Sequence, residues 1–199
     1  MENTKNNLFN NFVSEYIKNL SYCFSEEKKS QIQHLAECLL EAWRKGNKIF
    51  LCGNGGSAGN AIHIANDFIY GTGACGGGET LPGLKVNALS SNPAVLTCLA
   101  NDTGFENIFS YQIDVQADRD DILIALSGSG NSKNIVNALN SANSKGLKTF
   151  AILAFDGGEC NKIAKHSIHF AINDMQIAED LQLIIGHLCM QWLSSNKNF

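Results

Sequence analysis

Two residue pairs hold the groups in this sequence that could do chemistry. His63 and Asp67 stand four apart, so in a helix both project from one face, and Glu179 and His187, eight apart, lie near one face of another. If the two helices meet, His63, Asp67, Glu179 and His187 make a cluster of two imidazoles and two carboxylates. Such a cluster suits Zn2+ or another divalent metal, and equally suits acid–base catalysis. Taken singly, each histidine reads as an ordinary helix residue.

Two runs of small residues could hold an anion. The apolar run Ile49–Cys52 stops at Gly53-Asn54-Gly55-Gly56-Ser57, and a helical pattern follows through Ala58, Ala61, Ile62 and Ala65. The glycines of Gly53-Asn54-Gly55-Gly56 let the backbone approach a ligand, and Ser57 is placed as an N-cap before unpaired helix N–H groups. The second apolar run, Asp121–Leu126, ends in Ser127-Gly-Ser-Gly-Asn-Ser132 before a helix carrying Ile135, Val136 and Leu139. The hydroxyls of Ser127, Ser129 and Ser132, with free backbone N–H groups, can hold phosphate without a lysine. The first run is neither GxGxxG nor GxxxxGK[ST], so it has neither the dinucleotide nor the NTP fingerprint. Serine and glycine are also ordinary turn residues, and the repeated strand–turn–helix context is what favours phosphate.

The elements that must position these groups read as α/β. Strands are expected at 49–52, 84–89, 121–126, 148–155 and 167–172, with helices opening at Pro93, over 160–164 and over 176–193. In a parallel sheet both small-residue turns fall at the carboxyl ends of strands, where open α/β sheets bind ligands. Two amphipathic helices, 8–24 and 27–45, precede the first strand. They pack either on a partner subunit or on this chain's own core. Five glycines between Gly71 and Gly78 read as a mobile connection, either a lid or a plain loop. With 199 residues, 44% of them hydrophobic, the chain suits one domain. A net charge of −4 argues against nonspecific binding to nucleic acid or an anionic membrane. Seven cysteines without CxxC spacing, and no signal peptide or long apolar span, point to reduced thiols and a cytoplasmic location.

Gly53-Asn54-Gly55-Gly56-Ser57, His63 with Asp67, Asn101-Asp102-Thr-Gly-Phe-Glu-Asn-Ile-Phe109, Ser127-Gly-Ser-Gly-Asn-Ser132 and Asp156-Gly157-Gly158 together resemble the sugar isomerase (SIS) domain family, more narrowly its phosphoheptose isomerases. The resemblance covers nearly the whole chain. It implies a flavodoxin-like, five-stranded parallel sheet flanked by helices, with residues 1–45 as a helical extension for oligomerisation and 46–199 as the SIS domain. It also implies a homotetramer with sites at subunit interfaces. Residue by residue it implies phosphate and sugar binding by Asn54, Gly55, Gly56, Ser57, Asn101, Asp102, Ser127, Ser129 and Ser132. His63, Asp67, Glu179 and His187 become ligands of Zn2+ or another divalent metal, with Asp67 and His187 as the proton-transfer pair. Asp67 stands where the family has a glutamate, and Glu179 where it has a glutamine. A competing alignment keeps the glutamine at Gln182 but puts Met190 at the histidine position. The family's arginine after its glutamate has no counterpart among residues 69–73. The activity implied is isomerisation of a phosphorylated sugar, sedoheptulose 7-phosphate to a manno-heptose 7-phosphate. The family also contains isomerases of other sugar phosphates, and non-catalytic binding proteins that keep the phosphate loops and lose the catalytic pair.

Overall fold

The computed structural model describes the backbone of residues 2–197 and the side chains of residues 8–197. Five strands form one parallel sheet: β1 (Lys48–Cys52), β2 (Lys85–Ala88), β3 (Ile122–Ser127), β4 (Lys148–Leu153) and β5 (His166–His169), in the order β2-β1-β3-β4-β5. Every residue of β3 is buried, because helices cover both faces of the sheet. Ile49 and Leu51 of β1 face one layer, and Phe50 and Cys52 face the other. The first layer holds α2 (Glu26–Lys45), α3 (Gly56–Asn66) and α9 (Met175–Ser195). The second holds α5 (Pro93–Thr103), α6 (Ser110–Gln116) and α7 (Lys133–Lys145). Strand order reverses direction between β1 and β3, so the loops after these two strands diverge and leave a crevice. β4 and β5 end two and three residues earlier than the apolar pattern alone indicates.

The two leading helices divide their work. α2 begins at the N-cap Ser25, whose side chain accepts from Lys28 N–H, and ends at left-handed Gly46. It buries Ile32, Leu35, Ala36, Cys38, Leu39 and Ala42 on this chain's own sheet. α1 (Glu2–Tyr22) instead leaves Leu8, Phe9, Phe12, Val13 and Ile17 exposed. Tyr16 ties it to α9, its hydroxyl donating to Asp180 Oδ2 at 2.6 Å. Burial, with the Asp180 carboxylate beside it, pushes the Tyr16 phenol up to about 12. All seven cysteines are free thiols, and burial raises that of Cys189 to about 12.

The contact that positions the site is between α3 and α9. α3 runs on through a π turn, Asp67–Gly71, into α4 (Thr72–Ala74), so the helical run is unbroken from Gly56 to Ala74. The start of the glycine-rich segment is therefore not a loose loop. Gly71, Thr72 and Gly73 are buried under the end of α9, and exposure begins beyond them. The Ser194 hydroxyl, 2.8 Å from Thr72 O and 3.1 Å from Gly71 O, and the Lys197 ammonium on Gly73 O hold this backbone from the far end of the chain, which offsets glycine's conformational freedom. Where α3 and α9 cross, Gly186 lies against Ile64: a β-carbon on Gly186 would sit 2.6 Å from Ile64 Cγ1.

Replacing Gly186 with alanine in an exposed helix would stabilise it by about 1 kcal/mol. Here the crowding against Ile64 reverses the sign, at a cost of about 1–3 kcal/mol for overpacking. Urea unfolding of Gly186→Ala should show a lower midpoint; a higher one would mean that the seam tolerates a methyl group.

Candidate active site

The first half of the site is built where β1 and β3 end. Gly55 has φ +55°, a left-handed value that glycine adopts without strain, and this turns the chain so that α3 starts at Gly56. Ser57 is therefore inside the first turn and not the N-cap that its residue type predicts. Its hydroxyl is buried and accepts from Gln182 Nε2 at 3.1 Å. No side chain caps α3, so its first N–H groups stay available to an anion. Across the crevice, Ser127 Oγ accepts from Gly130 N–H at 3.1 Å and Ser129 Oγ accepts from Asn131 N–H at 3.3 Å. A hydroxyl that accepts keeps its own proton to donate, so both can still bond a phosphate oxygen. Ser132 begins α7 without making a capping bond. Reciprocal amide bonds between Asn54 and Asn134, at 2.9 and 2.8 Å, lock the two loops together. Between the loops lies a cavity of about 270 Å³, lined by Asn54, Gly55, Gly56, Ser57, Ser127, Ser129 and Ser132 together with Met175 and Glu179.

The second half lies two turns further along α3. His63 Nε2 and His187 Nε2 approach to 2.9 Å, and Asp67 Oδ2 is 3.4 Å from each. Their ligand atoms all lie within 4.8 Å of one another, so a cation could be shared by all three. The donor set of two imidazole nitrogens and one carboxylate oxygen fits zinc, and three protein ligands leave a position for substrate. Asp67 is the most enclosed of the three, with 17% of its side chain exposed against 50% for His63 and 45% for His187. Met190, the rival histidine position, lies against Gly71, so it is His187 that α9 presents to His63.

Glu179 does not join this group. It is eight residues before His187, and eight residues of helix span about 12 Å, so sharing a face does not bring two side chains to one point. α3 and α9 run in the same direction, with Gln182 beside Ser57 and His187 beside His63, and the offset therefore persists. The Glu179 carboxylate packs against Gly56 at the mouth of the phosphate loops, where a β-carbon on Gly56 would collide with it. Asn101 and Asp102 are exposed at the end of α5, bonded to each other, and do not line the cavity. One site residue escapes sequence reasoning, and another enters it only through the competing alignment. Asn134 is buried as the bridge to Asn54, and Gln182 is buried between Ser57 and Asn60. A polar residue facing into a helix interface has no local signature, although its spacing within the apolar stripe of α9 would have marked Gln182.

An open parallel sheet with two small-residue, hydroxyl-bearing loops at its switch point, beside a His-Asp-His group, defines an α/β protein built to take a ligand at the carboxyl edge of its sheet. The sequence pattern of the SIS domain matches residues 12–154. The chain is 34% identical to a phosphoheptose isomerase of Aliarcobacter butzleri over 83% of this chain and 85% of that one. It is 32% identical to the phosphoheptose isomerase of Akkermansia muciniphila over 88% of this chain and 94% of that one. The solved phosphoheptose isomerase of Neisseria gonorrhoeae superimposes with a TM-score of 0.82 at 25% identity, covering 96% of this chain and 99% of that one. That of Francisella tularensis shares the fold, with a TM-score of 0.85 at 22% identity, covering 96% of this chain and 98% of that one. The chain belongs to the SIS domain family, among its phosphoheptose isomerases.

The place of Glu179 has a measurable consequence. A carboxylate in the anion cleft opposes a phosphate, so Glu179→Gln should tighten inhibition by inorganic phosphate by about 1 kcal/mol, or roughly fivefold. An inhibition constant that stays the same or rises would place the carboxylate outside the phosphate's field.

Proposed function

We propose that the chain is an aldose–ketose isomerase that converts sedoheptulose 7-phosphate to D-glycero-D-manno-heptose 7-phosphate for heptose biosynthesis. The observation that carries this reading is that one helix bears both halves of the site. The first turn of α3 faces the serine loop, while His63, further along α3, and Asp67, where the π turn begins, face His187. A sugar phosphate bound by its phosphate at the loops extends its carbonyl end along α3 toward those three side chains.

Ser57, Ser127, Ser129 and Ser132, with the N–H groups at Gly55 and Gly56, hold the phosphate and fix how far the sugar enters. In the forward direction a proton leaves C1 and one arrives on the C2 oxygen, giving a 1,2-enediol. Return of a proton to C2 and loss of one from the C1 oxygen complete an aldose of unchanged formula. Asp67 takes and returns the carbon-bound proton, and His187 holds the proton exchanged with oxygen. Zn2+, when bound by His63, Asp67 and His187, supplies Lewis-acid polarisation of the carbonyl. Glu179, a ligand on the alignment, acts instead from the phosphate side.

The assembly we propose is a homotetramer, with residues 1–45 in its contacts and 46–199 as the SIS unit. The exposed apolar side chains of α1 support this. Asn101 and Asp102, which do not line their own chain's cavity, would then reach substrate in a neighbouring subunit. We place the enzyme in the cytoplasm, working without nucleic acid or membrane. Among the described residues no helix is long and apolar enough to cross a bilayer.

Incubation with a panel of ketose phosphates tests the reading. The 7-phosphate of sedoheptulose should be turned over fastest, with Asp67→Ala and His187→Ala each about 10²- to 10⁴-fold slower. No turnover of any ketose phosphate by metal-replete protein would overturn the assignment, and full activity in His187→Ala would overturn the role of that residue. Light scattering should give four subunits at micromolar concentration; a monomer would refute the assembly.

A further inference from the structure

The end of α9 makes contacts that the isomerisation scheme leaves unused. Lys197 is only 5% exposed, and its ammonium donates to two backbone carbonyls, Gly73 O at 3.1 Å and Cys75 O at 2.9 Å. A buried charge is costly unless it is well compensated. Here the compensation comes from the C-terminal end of the helical run Gly56–Ala74, where carbonyls lack intrahelical partners and the helix dipole is negative. Three residues earlier, Ser194 Oγ lies 2.8 Å from Thr72 O and 3.1 Å from Gly71 O. Met190 packs on Gly71, its sulfur 3.3 Å from where a β-carbon would be. His187, Met190, Ser194 and Lys197 follow at spacings of three, four and three, on one side of the closing segment.

These contacts converge on Asp67. Thr72, fully buried, donates its N–H to Asp67 O, closing the wide five-residue π turn, and its hydroxyl lies 3.4 Å from the same oxygen. Ser194 therefore grips the residue that grips Asp67, and Lys197 caps the same segment two residues on. A π turn is an unfavourable insertion that persists where its surroundings enforce it, and it recurs at functional sites. Released from α9, the segment would relax toward the tighter α pattern, a register change of one residue that starts at Asp67.

We infer that Ser194 and Lys197 are positioning residues for the proposed isomerisation: by clamping the π turn Asp67–Gly71 they hold the Asp67 carboxylate in register with His63 and His187. This rests on the reading of Asp67 as a reacting group. It assigns a role to the glycine-rich segment, whose glycines let the end of α9 approach the backbone. At Gly76, with φ +79°, a β-carbon would stand only 3.0 Å from Ser194 Cβ.

The test compares wild type with Lys197→Met, Lys197→Arg and Ser194→Ala, using steady-state kinetics and absorption titration with Co2+ as the metal probe. Lys197→Met should lower kcat and Co2+ affinity each by about 10- to 100-fold, with KM within twofold. Lys197→Arg, which keeps the charge and the donors, should recover most of both. Ser194→Ala should shift both in the same direction, and it carries the comparison alone if Lys197→Met does not fold. Folded variants with unchanged kcat and Co2+ affinity would overturn the inference, and so would a rise in KM alone. A wild-type chain inactive on every ketose phosphate would count against the isomerase reading only. The clamp would then be decided by amide exchange at residues 67–75: faster exchange in Lys197→Met supports it, and unchanged exchange overturns it.

Discussion

The site depends on how closely two parallel helices can lie. Gly186 lets α9 settle against Ile64 of α3, and from that crossing the contacts run outward in both directions. Toward the sheet's carboxyl edge, Gln182 bonds Ser57 and Asn60 and fixes the turn that faces the phosphate loops. Away from it, His187 meets His63 and Asp67, and then Ser194 and Lys197 hold the end of the helical run. One packing interface therefore sets both the cleft between the glycine and serine loops and the His-Asp-His group, and sets the distance between them.

The same interface explains the division of charge. Charged groups drawn partly or wholly out of water are tolerated where each has a partner, and the parallel seam arranges partners in series. The uncapped N–H groups of α3 lie beside the half-buried Glu179 carboxylate at one end of the seam, and the carbonyls of Gly73 and Cys75, past the π turn, receive the buried Lys197 ammonium at the other. Between them the converging nitrogens of His63 and His187 and the Asp67 oxygen favour a cation.

Much of this was legible in the sequence. The uninterrupted apolar runs of β1 and β3, each ending in small residues before a helical pattern, specify a parallel sheet with ligand loops at its carboxyl edge, because strands buried on both faces show no alternation. The pairing of His63 with Asp67 follows from helix period alone. Period carries no depth, however, so Glu179 and His187 share a face of α9 and still belong to different parts of the site. The N-cap expected at Ser57 fails because left-handed Gly55 starts the helix early, and glycine composition does not say which glycine takes that conformation. The π turn at Asp67 is set by tertiary hydrogen bonds from residues more than a hundred positions away, so no local pattern could reveal it.

If α3 and α9 of a single chain bring His63, Asp67 and His187 together as one cation site, zinc and phosphate bind side by side within one subunit. Crystals grown with Zn2+ and inorganic phosphate, measured across the zinc absorption edge, test it most directly. One anomalous peak is expected about 2.0–2.2 Å from ligand atoms of His63, Asp67 and His187 of the same chain, with phosphate at Ser57 and Ser129. A peak ligated by His63 of one chain and His187 of another, or zinc bound only away from these three residues, would contradict it.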